Sequence, residues 1–242
     1  MDHIEQVRAA ADCTVAAGSA RLTMTSAGTT LMGDIDGTID FTNRRSWAKL
    51  AMPMGEGEGD GHGTVEVEMI IDGPHLYLGV LGFPGRFLRT RLDEHGDDMP
   101  AGDPGLLLDW LRGCTRATPV GASGTPGDDP HLNAVDVVLD LDRAVEAAPE
   151  GARRAVRTWV DMMAPDGRPR EARVWLDADD RVHRFSLPDP AGDLDVRFTD
   201  HGQPVAIAIP DATALVAPEE LRQLMPDLPD LPEPPPSEWD VQ

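Results

Sequence analysis

Apolar and polar residues alternate with period two along most of this chain. Val65, Val67, Met69 and Ile71 keep a period of two, with Glu66 and Glu68 between the first three, and Asp72-Gly73-Pro74 breaks the run. Leu76, Leu78 and Val80 then resume it, so residues 65–80 predict a β-hairpin with one buried face. The same alternation predicts strands at Ala20–Met24, Ile35–Phe41, Ala48–Met52, Phe87–Leu92, Thr118–Ala122, Leu132–Leu141, Glu171–Asp177, Arg181–Leu187, Asp193–Thr199 and Pro204–Ile209. Helical spacing appears in three places. Residues 2–17 carry Ile4, Val7, Ala10, Ala11 and Val15 behind Asp2 as N-cap. Asp103-Pro104 opens a second stretch to Gly113, and residues 149–163 form the third.

Antiparallel strands in sequence, with few helices between them, define an α+β domain. A sheet this long must curl, close or be covered. The helices at 103–113 and 149–163 are the natural covers of one face, and a curved antiparallel sheet under helices encloses an apolar space. The domain is expected to occupy residues 1–215. From 216 to 242 proline alternates with acids, which predicts an extended, disordered tail.

Charge narrows the partners. The formal net charge is −22 at pH 7, a field that repels nucleic-acid phosphates and anionic membranes. Nucleic acid is therefore excluded as a partner. No apolar run approaches the ~18–20 residues needed to cross a bilayer, so stable membrane insertion is not expected. The N-terminal residues lack a basic region followed by an apolar one, and the chain as it stands reads as cytoplasmic. A leader preceding it would place it in the cell envelope. Cys13 and Cys114 could form one disulfide or remain buried thiols.

Candidate chemistry is thin. Gly121-Ala-Ser-Gly-Thr125 lacks the final glycine of a nucleophile elbow. Gly55–Gly63 is glycine-rich but has acids where a phosphate cradle needs a lysine; Glu56, Glu58, Asp60 and His62 form at most a weak cation site. Asp34-Ile-Asp36-Gly37 lacks calcium-loop spacing, and His75, His95, His131, His183 and His201 lack zinc-site spacing. No catalytic residue, metal ligand or cofactor motif is assigned, and the chain is read as no enzyme.

The ordered set of turns and strands has a precedent. Gly37-Thr-Ile-Asp-Phe41, Val65-Glu-Val-Glu-Met69, Gly73-Pro-His-Leu-Tyr77, Arg86–Asp93 and Asp103-Pro-Gly-Leu-Leu107 resemble the LolA-like superfamily. The second half agrees, through Val120-Gly121, Val174-Trp-Leu-Asp177, Arg181-Val-His-Arg184 and Gly202-Gln-Pro-Val205. The nearest branch is the LppX/LprG-type lipoproteins of high-GC Gram-positive bacteria. This resemblance implies an antiparallel half-barrel with helices on its concave face, and carriage of acyl chains, glycolipids or lipidated partners in an apolar cavity. The family's lipobox is missing: Cys13 follows Asp12, with no apolar leader upstream.

The expected ligand-binding residues are therefore the apolar positions that should share one sheet face: Leu22, Met24, Ile35, Ile39, Phe41, Leu50, Val67, Met69, Ile71, Leu76 and Leu78. They line a cavity or pack as ordinary core under the helices. The corresponding functions are non-catalytic binding of a hydrophobic small molecule or lipid, and a protein-interaction module that uses the convex face or the proline-rich tail.

Overall fold

The computed structural model describes residues 2–27, 34–53, 64–92, 105–120, 131–163, 166–188, 193–217, 220, 221 and 223. Helix α1 (His3–Ala16) starts the chain, with the Asp2 carboxylate accepting from the Ile4 amide at its N-terminus. Six strands follow: β1 (Ser19–Ala27), β2 (Asp34–Asp40), β3 (Arg45–Pro53), β4 (Thr64–Asp72), β5 (His75–Gly79) and β6 (Phe87–Arg91). Helix α2 (Leu106–Asp109) runs into a 3-10 turn (Trp110–Gly113), then β7 (Cys114–Pro119) and β8 (Asn133–Leu139). Helices α3 (Leu141–Ala147) and α4 (Arg153–Met163) precede β9 (Arg170–Leu176), β10 (Val182–Leu187) and β11 (Asp193–Thr199).

The eleven strands form one curled sheet in the order β6-β5-β4-β3-β2-β1-β11-β10-β9-β8-β7. All ten neighbouring pairs are antiparallel. The first and second halves thus meet at the β1–β11 pair, and the N-terminal hairpins occupy one wing. Every side chain on one face is fixed by this register.

Three local features differ from the sequence reading. The strand expected over 132–141 ends at Leu139, because Asp140 caps a further helix through its carboxylate and the Arg143 amide at 3.1 Å. The helix expected over 103–113 is one short α-turn closed by a 3-10 turn. Residues 204–209, expected as a strand, form none and join no strand of the sheet. They lie instead against the outer face, where Ile207 and Ile209 pack with Trp47, Ile70, Tyr77 and Phe87.

The helices cover the inner face over the C-terminal wing. Val7, Ala10, Ala11, Leu106, Trp110, Val156 and Val160 join Leu22, Ile39, Val135, Val174, Phe185 and Phe198 in the main core. Polar ties set the position of α1. Thr14 Oγ1 donates to Ala10 O at 2.7 Å and accepts from the Val182 amide at 2.8 Å, both fully buried. Arg8 donates to Cys114 O from Nε and Nη2 at 3.0 and 2.6 Å. Arg112 joins Asp12 of α1 to Asp109 of α2, each at 2.7 Å. Its guanidinium holds the Asp12 carboxyl below the ordinary carboxylate range, whereas burial pushes Asp109 up.

Candidate functional site: the inner face of the sheet

The strand register carries ten of the eleven expected positions to one side. One row runs Leu22–Gly37–Ala48–Met69–Leu78–Leu88 across β1 to β6. A second runs Met24–Ile35–Leu50–Val67, and a third Ile39–Ser46–Ile71–Leu76. Phe41 continues β2 past its end, tied by its amide to Gly18 O at 3.0 Å.

That face has two different environments. Leu22, Met24 and Ile39 are buried in the main core, with Ile35 and Phe41 packed against it. No described residue of β3, β4, β5 or β6 belongs to that core. There Ile71 and Leu76 are buried, but Leu50, Val67, Met69 and Leu78 remain partly exposed. The sheet therefore presents a helix-covered half and an apolar half that no described helix of the main core covers. Gly37 lies where the two meet. A Cβ there would collide with the Trp47 carbonyl oxygen and approach Ala48 Cα at 3.0 Å, so glycine alone permits the close approach of β2 to β3.

The outer face of the same wing is apolar too, and covered. Trp47, Ile70, Tyr77 and Phe87 carry the extended segment after β11, which bonds Phe87 on both sides: Phe87 N to Ala214 O at 2.8 Å and Val216 N to Phe87 O at 2.9 Å. Trp47 Nε1–H donates to Glu68 at 2.5 Å. These residues escaped the sequence reading, though Met69-Ile70-Ile71 was a legible sign: three consecutive apolar residues in a strand mean burial on both faces.

A distinct groove of about 790 Å³ lies on the outer face of the other wing, lined by Arg116, Asp136, Glu171, Arg173, Trp175 and Arg184 among others. None of the eleven apolar positions borders it. Its charges are mutually paired: Arg173 with Asp136 at 2.6 Å, Arg116 with Glu171 at 3.4 Å, and Arg184 with Asp195 at 2.7 Å. Both Arg173 and Arg184 stack over the Trp175 ring, at 5.9 and 4.4 Å from its centroid. Trp175 is only 4% exposed, and its Nε1–H has no protein partner. Such a wall suits a polar partner rather than an alkyl chain.

The remaining candidates separate. Asp34 and Asp36 stand on the outer face of β2, with Asp36 paired to Arg21 at 3.0 Å. Cys13 and Cys114 are both free thiols, and burial pushes that of Cys114 up. Among the described residues no three His, Cys, Asp or Glu side chains gather as a metal site would require. Gly55–Gly63, Gly121–Thr125 and His95 lie outside the described residues. No described helix is long and apolar enough to cross a membrane.

Sheet order, helix placement and curl define an α+β antiparallel half-barrel. Two solved structures share it. LprF from Mycobacterium bovis superposes with a TM-score of 0.57 at 14% identity, covering 86% of this chain and 97% of its own. The Mycobacterium tuberculosis lipoprotein LppX gives 0.53 at 17% identity, with 85% and 97% covered. No family model and no curated protein matches the chain by sequence.

Proposed function

We propose that this protein is a non-catalytic carrier that binds a hydrophobic ligand, an acyl chain or the lipid part of a glycolipid or lipidated partner, on the inner face of its half-barrel. One observation carries the reading. The apolar rows that are buried under helices at β1 and β2 continue, still apolar, into the partly exposed Leu50, Val67, Met69 and Leu78. A half-barrel that needed only a core would have no reason to extend that surface past its cover. The ligand contacts proposed are Leu50, Val67, Met69, Ile71, Leu76 and Leu78, with Leu22, Met24, Ile35, Ile39 and Phe41 as the floor beneath the helices. Each methylene buried there stabilises the complex by ~0.8 kcal/mol, and no cofactor is needed.

The test begins with protein taken from its native host, cytosol and membranes separately, and examined by native mass spectrometry with solvent extraction. Stoichiometric lipid supports the carrier and names its class, and the fraction that yields it distinguishes a cytoplasmic from an envelope role. Met69→Trp and Leu78→Trp should each reduce lipid uptake; unchanged uptake would remove these residues from the site.

A second reading, a protein-interaction module, is favoured by the outer groove around Trp175, where an indole N–H is buried without a protein partner. It treats residues 1–215 as the domain and 216–242 as a partner-binding tail. Loss of partner binding on removing residues 217–242, with lipid binding intact, would favour it.

A further inference from the structure

Three rows of side chains build the outer groove. Arg116, Val138 and Glu171 form the first, Thr118, Asp136, Arg173 and Ser186 the second, and Ala134, Trp175 and Arg184 the third. Alternation turns them outward, while Val137, Val174 and Phe185 of the same strands fill the core beneath. The hollow of about 790 Å³ has the size of a small-molecule site.

Donors outnumber acceptors along this wall. Three arginines and two acids line it, and each guanidinium carries five N–H groups. Trp175 adds one more donor. Its Nε1–H is closed to solvent and has no acceptor in the protein, a state that an incoming oxygen would relieve. Arg173 and Arg184 lie over the indole ring from neighbouring positions, one two residues back along β9 and the other paired with it from β10. Each is anchored through Nε to an acid, Arg173 to Asp136 at 2.6 Å and Arg184 to Asp195 at 2.7 Å. Both cations are therefore held in place before any ligand arrives.

The field selects the size of the anion. The wall carries net positive charge in a chain whose total is −22. A polyanion would extend beyond the ~8 Å over which charges act at physiological salt and meet the acidic surface around the groove. A single carboxylate would not. A phosphate dianion would bring a second charge beside Asp136 and Glu171, which face the same hollow.

We propose that this groove binds the carboxylate of a small organic acid. One oxygen enters past Arg173, which at 5.9 Å from the ring centroid is the looser cover, and accepts from Trp175 Nε1–H. The guanidiniums of Arg173 and Arg184 supply the opposing charge, and Thr118 and Ser186 offer hydroxyls to the rest of the molecule. At the open end Arg116 attracts the anion and Glu171 repels it. Their contact is 3.4 Å long, with side chains 67% and 80% exposed, so neither firmly neutralises the other. The site stands whether or not the inner face carries a lipid, and it needs no protein partner.

The experiment follows the indole N–H resonances of isotope-labelled full-length protein as N-acetylglycylglycine is added. N-acetylglycylglycinamide is the uncharged control and inorganic phosphate a third arm. Trp175→Phe assigns the Trp175 signal by its disappearance. The carboxylate should move that signal downfield, saturating at millimolar concentration, and the amide should leave it in place. Arg116→Gln should weaken binding and Glu171→Gln tighten it, each about two- to threefold, as single exposed charges do. Both side chains are exposed, so these two variants keep the fold. Arg184→Gln should weaken binding about tenfold or more by removing a charge-assisted bond, with the urea midpoint reporting its folding. A Trp175 signal indifferent to the acid, or moved equally by the amide, would overturn the site. Equal affinities in the Arg116→Gln and Glu171→Gln proteins would overturn the placement of the anion. Phosphate bound as tightly as the carboxylate would overturn the preference for a single charge.

Discussion

Leu22 and Leu78 occupy the same row of the sheet but different environments, and truncating each distinguishes core from binding surface. Leu22 is 1% exposed, flanked in register by Gly37 and Phe198 and covered by the helices. Leu22→Ala therefore removes three buried carbons and leaves a cavity that packed neighbours close only in part. Its expected cost is about 3–4 kcal/mol. Leu78, partly exposed between Met69 and Leu88, already keeps some of its surface in solvent. Leu78→Ala loses a fraction of the ~0.8 kcal/mol per carbon and gains no sealed cavity, so about 1 kcal/mol is expected. Urea unfolding followed by far-ultraviolet circular dichroism and tryptophan fluorescence measures both, valid where the two probes coincide and m is unchanged. Bound lipid should raise the stability of the Leu22→Ala protein as much as the parent's, and that of Leu78→Ala less, by linkage. If Leu78→Ala cost as much as Leu22→Ala, the β4–β6 wing would be filled core and the inner-face site would fall.

Gly37→Ala should destabilise the fold by about 2 kcal/mol or more, since its methyl meets backbone at Trp47 and Ala48 that no side-chain rotation relieves; an unfolding midpoint equal to the parent's would contradict the tight β2–β3 approach. Thr14→Val should cost about 1–3 kcal/mol in the same assay by stranding the buried Val182 amide, while Thr14→Ser retains the bond and most of the stability. Burial lowers the pKa of His201 from its ordinary value, with Arg181 adding to the effect. The unfolded chain then takes up the proton first, so stability falls as pH drops from about 6.5 through the folded value. His201→Gln should flatten that part of the Tm profile between pH 7.5 and 5; parallel profiles for the two proteins would refute it.

How far the sequence could be read depends on which face a residue serves. Where one face is apolar and the other polar, as in Val65-Glu66-Val67, alternation places the strand, and ten of the eleven expected residues share one side by register, Phe41 lying past the end of β2. Alternation does not identify a hydrogen-bonding partner. Val205, Ile207 and Ile209 alternate as a strand does, and they are partly buried, but the segment is not a strand. Its cover is the outer face of another wing, a tertiary contact that period two cannot reveal. The helix α3 was hidden for a related reason. Leu139-Asp140-Leu141 continues the strand's alternation, although Leu141, Ala144, Val145 and Ala148 already had helical spacing behind an N-cap. Whether an apolar row is roofed or open is a property of helix placement, and no single strand encodes it.

The two faces also divide the functional readings, because a carrier needs apolar surface that solvent reaches and an interaction module needs polar surface that a partner can satisfy. Trp175 tests the latter. Arg173 and Arg184 lie over its ring on the outer face, and its buried N–H carries a desolvation cost that no protein acceptor offsets. Trp175→Phe removes that donor while keeping an aromatic face for the guanidiniums; lost ring area and weaker cation–π attraction oppose the gain. These effects are each about 1 kcal/mol and of opposite sign, so unfolding free energy should change by less than ~1 kcal/mol. A loss above ~2 kcal/mol would mean that the indole N–H is satisfied in solution, and the groove would then be a closed wall of paired charges rather than a surface awaiting an acceptor.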